Sequence, residues 1–205
     1  MVAKRDGWMT VEEFLALDRE NLDQKYELID GKMVAMAGGT VNHGTIIDNL
    51  VSIIRPHLRG KPCRILSEGT LKIESVCYLP DIMVTCNKED ITENKTYIEY
   101  PKLVIEVLSP STERRDKRDK VLAYAHCLSI QEYVLVSWDC MLIQKMTRKG
   151  TEGLDRIQWL DEWYNQGDSI ELETIDLSIP VDDIYEDVIL PPFNLFRESR
   201  KRSKN

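Results

Sequence analysis

The stretch that determines the fold is residues 103–108, which read Leu103-Val104-Ile105-Glu106-Val107-Leu108. Apart from Glu106 every side chain in it is apolar, and a short apolar run of this kind is typical of a central strand covered on both faces. An ionised carboxylate buried there costs several kcal/mol unless it is compensated. We therefore expect Glu106 to be protonated, paired with a cationic side chain, or bound to a metal ion.

The segments on either side of this run predict further buried structure. Residues 81–86 form another apolar strand, which Asp81 opens directly after Pro80. Residues 109–112, Ser-Pro-Ser-Thr, end the central strand and predict the start of a helix that carries Val121, Leu122 and Tyr124.

The N-terminal part predicts a helix, a hairpin and a second helix. Thr10 and Glu13 form a capping box, and Asp30-Gly31 is a turn signal between two apolar runs. Apolar residues recur every three or four positions from 42 to 58, with Asn42 as a possible N-cap. Pro56 is expected to kink or shorten that second helix.

The other elements are predicted from shorter patterns. Strands are expected over residues 65–66, 71–74, 133–136, 142–146, 154–160 and 170–172, and Pro180 is expected to open a last helix reaching Val188. This order predicts an α/β fold with a central mixed β-sheet flanked by helices. We expect a single domain over residues 1–196 and a basic tail over residues 197–205 that lacks fixed structure.

Composition and charge exclude several classes of protein. The chain has 205 residues, 42% of them hydrophobic, and a formal net charge of −8, which is unlike a disordered chain and unlike a wholly basic nucleic-acid-binding protein. No apolar run approaches the roughly 20 residues that span a bilayer, so we expect no membrane association. The five cysteines lack C-x-x-C spacing and favour a reducing cytoplasm.

Two carboxylates and one helix face carry the candidate chemistry. Asp81 and Glu106 come from separate strands, and a hard cation such as Mg²⁺ is held by one or two carboxylates, a carbonyl oxygen and waters. Asp116, Lys120 and Tyr124 follow at intervals of four residues, which places them on one face of a helix. An ammonium group there would stabilise charge that develops on a phosphate oxygen.

These same residues carry a resemblance to a known family. Pro80-Asp81, Glu106 within VIEVLSPST (residues 104–112), Lys120 and Tyr124 resemble the bacterial Uma-two family of restriction endonucleases, a branch of the PD-(D/E)XK nuclease superfamily. The likeness extends from about Thr10 to Val188 and therefore covers most of the chain.

The resemblance implies a restriction-endonuclease-like core and a metal-dependent endonuclease that hydrolyses DNA phosphodiester bonds. Mg²⁺ or Mn²⁺ would be held by Asp81, Glu106 and the backbone carbonyl near Val107. Lys120 would position the attacking water, and Glu27 would approach the site directly or through water. A homodimer is expected because cutting both strands of a duplex needs two sites.

Three further residues are candidates for support of this site. His43 lies at the start of the second predicted helix, where it is either a proton donor or acceptor near the site or a histidine satisfied by a local hydrogen bond. Asp116 and Tyr124 are expected to support the helix that carries Lys120.

Two departures from the family pattern bear on activity. The superfamily lysine normally follows the glutamate by two residues, but here that position is Leu108, so Lys120 would have to replace it from the next helix. The segment Ala125-His126-Cys127 lacks the usual glycine, which leaves the C-terminal cap of that helix undefined.

The sequence alone leaves three hypotheses open. The chain is either a nuclease or a nucleic-acid- or partner-binding module that keeps the carboxylates without hydrolysis, an alternative that Leu108 motivates. A third hypothesis is a homo-oligomeric scaffold in which the buried carboxylates are structural.

Overall fold

A computed structural model of the chain describes residues 8–20, 24–36, 38–109, 116–151 and 157–192. The helices are α1 (Val11–Glu20), α2 (Val41–His57), α3 (Val121–His126) and α4 (Val181–Ile184). The strands are β1 (Tyr26–Ile29), β2 (Lys32–Ala35), β3 (Arg64–Ser67), β4 (Thr70–Ile73), β5 (Val76–Tyr78), β6 (Ile82–Thr85), β7 (Tyr97–Ile98), β8 (Pro101–Val107), β9 (Glu132–Val136), β10 (Leu142–Thr151), β11 (Ile157–Asn165), β12 (Ser169–Leu172) and β13 (Leu177–Pro180). Short 3₁₀ turns cover Lys88–Asp90 and Glu173–Ile175, and a π-helical turn, Asp116–Lys120, leads into α3.

The central element is a six-stranded mixed sheet in the order β11-β10-β9-β8-β6-β3. Strands β8 and β9 run parallel, and the other neighbours in this sheet are antiparallel. In β8 every side chain except Lys102 is buried. The prediction of a central strand at residues 103–108 is confirmed, and so is the α/β class.

The two faces of this sheet have different covers. Leu103, Ile105 and Val107 belong to an apolar cluster that also contains the buried face of α2 and the β12–β13 hairpin. Val104 and Leu108 belong to a second cluster on the opposite face, together with residues from α3. The alternation follows from the two-residue period of a strand.

A second sheet covers part of that opposite face. Its five strands have the order β2-β1-β5-β4-β7, with β4 and β7 parallel. Leu71, Ile73 and Tyr78 from this sheet pack in one cluster with Val104 and Tyr124. The smaller sheet therefore lies against α3 and the face of β8 that carries Glu106.

The predicted N-terminal turns are present, with one correction. Thr10 N donates to Glu13 Oε2 at 2.9 Å and Glu13 N donates to Thr10 Oγ1 at 3.2 Å, which confirms the capping box. Asp30 and Gly31 both have positive φ, as an Asp-Gly hairpin turn requires. The prediction of Asn42 as the cap of α2 is wrong, because Thr40 Oγ1 accepts the His43 N–H and Asn42 Nδ2 donates to the Ile189 carbonyl.

The C-terminal part differs from the prediction in length and pairing. Pro180 does precede α4, but this helix ends at Ile184 instead of continuing to Val188. The β12–β13 hairpin is anchored to the large sheet by the buried Glu132, whose carboxylate accepts hydrogen bonds from Glu173 N and Thr174 N, both at 2.9 Å. The predicted strand at 142–146 lies within β10, and residues 157–160 of the predicted strand at 154–160 lie within β11, while residues 154–156 lie outside the described part of the chain.

Two further features bear on the class of protein. Cys63 and Cys86 lie opposite each other beyond the paired ends of β3 and β6 and form a disulfide, which the cysteine spacing did not predict. In the described residues, no helix combines the length and apolar character needed to cross a bilayer. The predicted basic tail, 197–205, lies outside the described residues.

Candidate active site

The pairing of β6 with β8 brings the two predicted carboxylates together. Ile82 pairs with Ile105 in an antiparallel ladder. One step back along β6 corresponds to one step forward along β8, so Asp81 lies opposite Glu106. Directly opposed residues of an antiparallel pair project to the same face of the sheet. Asp81 and Glu106 therefore share one face, and both line the same cavity of about 350 Å³.

Glu106 is almost fully buried and is bound by two side chains from the next helical segment. It is 3% exposed. Lys120 Nζ lies 2.7 Å from Glu106 Oε1, and Tyr124 Oη donates to the same oxygen at 3.0 Å. The four-residue interval between Lys120 and Tyr124 places both on one face of the helix, as predicted.

The replacement of the superfamily lysine by Leu108 has a packing reason. Leu108 is 5% exposed and belongs to the apolar cluster beside Val104 and Tyr133. Lys120, at the start of α3, brings an ammonium group to Glu106 from a different element. The structure thus places a lysine beside the glutamate although the usual strand position is apolar.

Glu27 reaches the same ammonium group from the smaller sheet. It is fully buried on β1, and its Oε1 lies 3.3 Å from Lys120 Nζ. The same oxygen accepts a hydrogen bond from Leu79 N at 3.1 Å. Glu27 is not among the residues that line the cavity, so it contacts the site through Lys120.

Asp81 is held at the end of its strand by two contacts to one oxygen. Val107 N donates to Asp81 Oδ2 at 2.7 Å, and His43 Nε2 lies 3.4 Å from that atom. Val107 also lines the cavity, and a metal-binding role for its carbonyl stays a prediction. His43 comes from the first turn of α2, next to the capping residue Thr40.

The tyrosines behind Glu106 form a tight apolar wall. The ring of Tyr124 makes edge-to-face contacts with Tyr78 and Tyr133, at centroid distances of 5.6 and 5.0 Å. Burial raises the pKa of the Tyr78 phenol, and the nearby positive charge of Lys120 offsets only part of that effect. This low-dielectric surrounding strengthens the interactions among the charged groups beside it. The side chain of Asp116, the other predicted support residue, lies outside the described part of the chain.

The donor set of carboxylate and carbonyl oxygens fits a hard divalent cation such as Mg²⁺ or Mn²⁺. Across the described ranges, no three His, Cys, Asp or Glu side chains could hold a metal ion by themselves. Mg²⁺ does not need such a cage, because it keeps several waters and uses one or two carboxylates. Among the described side chains, Asp81, Glu106 and Glu27 supply three carboxylates beside the ammonium of Lys120, and the Lys25–Glu68 ion pair on the same cavity adds no net charge. This excess of negative charge in a mostly buried setting suits a divalent cation.

Sequence reasoning missed the mouth of the cavity. Lys25 and Glu68 line it and form an ion pair. Glu68 has φ +55°, a left-handed conformation uncommon for residues other than glycine, and its N–H donates to the Asp81 carbonyl at 3.1 Å. Gly39 also lines the cavity, and a Cβ at that position would lie 2.5 Å from His43 Nδ1. Gly39 is the sequence feature that could have indicated this close approach of the backbone to His43.

Comparisons with known proteins agree with this fold. A solved structure, described as a putative nuclease belonging to DUF820 from Anabaena variabilis, has the same fold, with a TM-score of 0.69, 20% sequence identity, and coverage of 88% of this chain and 99% of that one. That fold is restriction-endonuclease-like, as the sequence predicted.

Two relatives come from Synechocystis sp. (strain ATCC 27184 / PCC 6803 / Kazusa). The uncharacterized protein slr1290 is 39% identical over 181 residues, which cover 86% of this chain and 91% of that protein. The uncharacterized protein sll1609 is 31% identical over 164 residues, which cover 78% and 89%. The model of the Uma2 family, described as "Putative restriction endonuclease", matches residues 11–182. The chain therefore belongs to the Uma2 family.

Proposed function

We propose that this protein is a metal-dependent endonuclease that hydrolyses phosphodiester bonds in DNA. The observation that carries the proposal is the convergence of Asp81 and Glu106 on one cavity, with Lys120 Nζ 2.7 Å from Glu106 Oε1. The family description and the nuclease title of the structural neighbour support the same reaction class.

The metal-binding residues follow from the same contacts. Asp81 and Glu106 would hold Mg²⁺ or Mn²⁺, with the Val107 carbonyl and waters as the other ligands. When bound, such a cation makes water more acidic and offsets the charge that develops on the phosphate. The Val107 N–H fixes Asp81, and Tyr124 Oη fixes Glu106, so the protein holds both carboxylates in place before the cation arrives.

The remaining groups have defined tasks in this proposal. The Lys120 ammonium lies one hydrogen bond from Glu106, where it can orient an attacking water and donate to a phosphate oxygen. Glu27 holds that ammonium from the other side, at 3.3 Å. His43, beside Asp81, lines the cavity where the substrate phosphate would enter. Lys120 thus acts from the helix in place of a lysine at position 108.

Cleavage assays with plasmid, linear and branched DNA test this proposal. We expect cleavage in Mg²⁺ or Mn²⁺ and its loss on addition of a chelator, because a cation held by Asp81 and Glu106 is removed from the site. Glu89→Ala changes an exposed carboxylate outside the cavity, so this variant should cleave like the wild type and should lose cleavage in the same way when the chelator is added.

Two results would contradict the proposal. Salt-sensitive DNA binding without cleavage in either metal would identify a binding module, and the absence of both DNA and metal binding would favour a structural scaffold. The proposal extends to a homodimer, since a duplex presents two strands to cut. Sedimentation of the purified protein at assay concentration measures that state directly.

A further inference from the structure

Arg148 connects β10 to the end of the helix that carries the site residues. Its Nε donates to the Ile130 carbonyl at 2.7 Å. Its Nη2 donates to the carbonyls of Tyr124, Ala125 and Cys127 at 3.3, 3.0 and 3.1 Å. One guanidinium group therefore binds four carbonyl oxygens at the C-terminus of α3 and in the loop that follows.

These bonds cap α3 together with the Cys127 N–H, which donates to the Tyr124 carbonyl at 3.2 Å. Helices commonly end on a glycine in the left-handed conformation, which satisfies the last carbonyls. The sequence has no glycine from residue 121 to 130, and Cys127 at the C-cap has φ −80° and ψ 95°, an extended conformation. A cation at this end of a helix also interacts favourably with the helix dipole. Arg148 thus binds helix-end carbonyls that a left-handed glycine satisfies at many other helix ends.

The anchor matters because α3 is too short to hold itself. It has six residues, whereas helices below roughly 12 residues are marginal without tertiary contacts. The guanidinium is in turn fixed over the ring of Trp159, its cross-strand partner, with 4.7 Å between Cζ and the ring centroid. The hairpin β10–β11 therefore sets the position of the end of α3.

Tyr124 links this anchor to the candidate active site. Its carbonyl accepts from Arg148, and its hydroxyl donates to Glu106 Oε1 at 3.0 Å. Lys120, at the other end of α3, contacts the same carboxylate oxygen. We propose that Arg148 is a positioning residue for the cleavage reaction, acting through Tyr124 and Lys120; this role rests on the proposed function.

Kinetics of three variants test the proposal with wild-type protein as reference. Arg148→Ala should lower kcat for Mg²⁺-dependent cleavage by about 100-fold, since a misplacement of about 1 Å has an effect of that size, while KM stays near the wild-type value. Millimolar guanidinium chloride should restore much of the lost rate by filling the space that the Arg148 side chain leaves. Arg148→Lys should retain less activity than Arg148→Ala regains with guanidinium, because an ammonium group cannot bind four carbonyls at once. Lys149→Ala, the exposed neighbour, is the matched control and should be unaffected.

Hydrogen exchange separates this role from a general loss of structure. In Arg148→Ala the amides of α3 should exchange faster while those of β8 keep their protection. Two results would overturn the positioning role. The first is a wild-type cleavage rate in Arg148→Ala. The second is a loss of cleavage that guanidinium does not restore, together with faster exchange of the β8 amides. If the wild-type protein does not cleave DNA, both the proposed function and the role of Arg148 fail. If the wild type cleaves and Arg148→Ala cleaves equally well, only the role of Arg148 fails.

Discussion

Glu106→Gln is expected to abolish metal-dependent DNA cleavage while leaving the fold intact. Glutamine keeps the shape of glutamate and an oxygen that can accept from Lys120 and Tyr124, but it lacks the negative charge that holds a divalent cation. Loss of several kcal/mol of stabilisation by the cation corresponds to a rate at least about 1,000-fold lower. Single-turnover cleavage rates in saturating Mg²⁺ measure this effect.

The controls for Glu106→Gln separate chemistry from stability. Thermal unfolding of the variant should stay close to that of the wild type, because Lys120 keeps Glu27 as a charged partner at 3.3 Å. Asp81→Asn should lose cleavage in the same way, because Asp81 provides the opposing carboxylate. Glu89→Gln removes an exposed carboxylate and should change neither property. A well-folded Glu106→Gln protein that cleaves DNA at the wild-type rate would remove Glu106 from the reaction.

Lys120→Met is expected to impair both stability and cleavage. The ammonium lies between Glu27 and Glu106, and all three side chains are buried. Removing one partner of a buried ion pair leaves uncompensated charge and costs about 3–5 kcal/mol. Urea unfolding should show this loss, and cleavage should be lost as well because Lys120 is the ammonium that the proposal places beside the attacking water.

A double variant distinguishes the two consequences of losing Lys120. Adding Glu27→Gln removes one of the two buried charges, so the free energy of unfolding should recover in part while cleavage stays absent. Lys102→Met, which changes an exposed lysine on β8, should behave like the wild type. If Lys120→Met is as stable and as active as the wild type, the central position given to this lysine is wrong.

The sequence predicted the parts of the fold that depend on local pattern. The apolar run around Glu106 predicted the central strand, and the capping box at Thr10 and the Asp30-Gly31 turn predicted the N-terminal elements. Short strands such as β5 and β7 were missed because two or three residues carry no measurable period. The β12–β13 hairpin depends on Glu132 from a distant strand, a contact that no local pattern encodes.

The candidate site was predictable to a similar degree. Asp81 and Glu106 were found because a carboxylate at the start or the middle of an apolar strand is unusual. The ladder that makes them neighbours is a long-range feature. Lys120 was predicted from the family resemblance, because no local pattern places this lysine beside Glu106. Arg148, which caps α3 in place of a glycine, comes from another hairpin and gave no sequence signal.

The most direct test of the central claim is a crystal structure of the protein soaked in Mn²⁺, with anomalous scattering used to locate the metal. We expect a peak within about 2.0–2.6 Å of carboxylate oxygens of both Asp81 and Glu106. The Lys120 ammonium should remain beside Glu106. Full occupancy of Mn²⁺ elsewhere, or no bound metal at concentrations that support cleavage, would contradict the central claim.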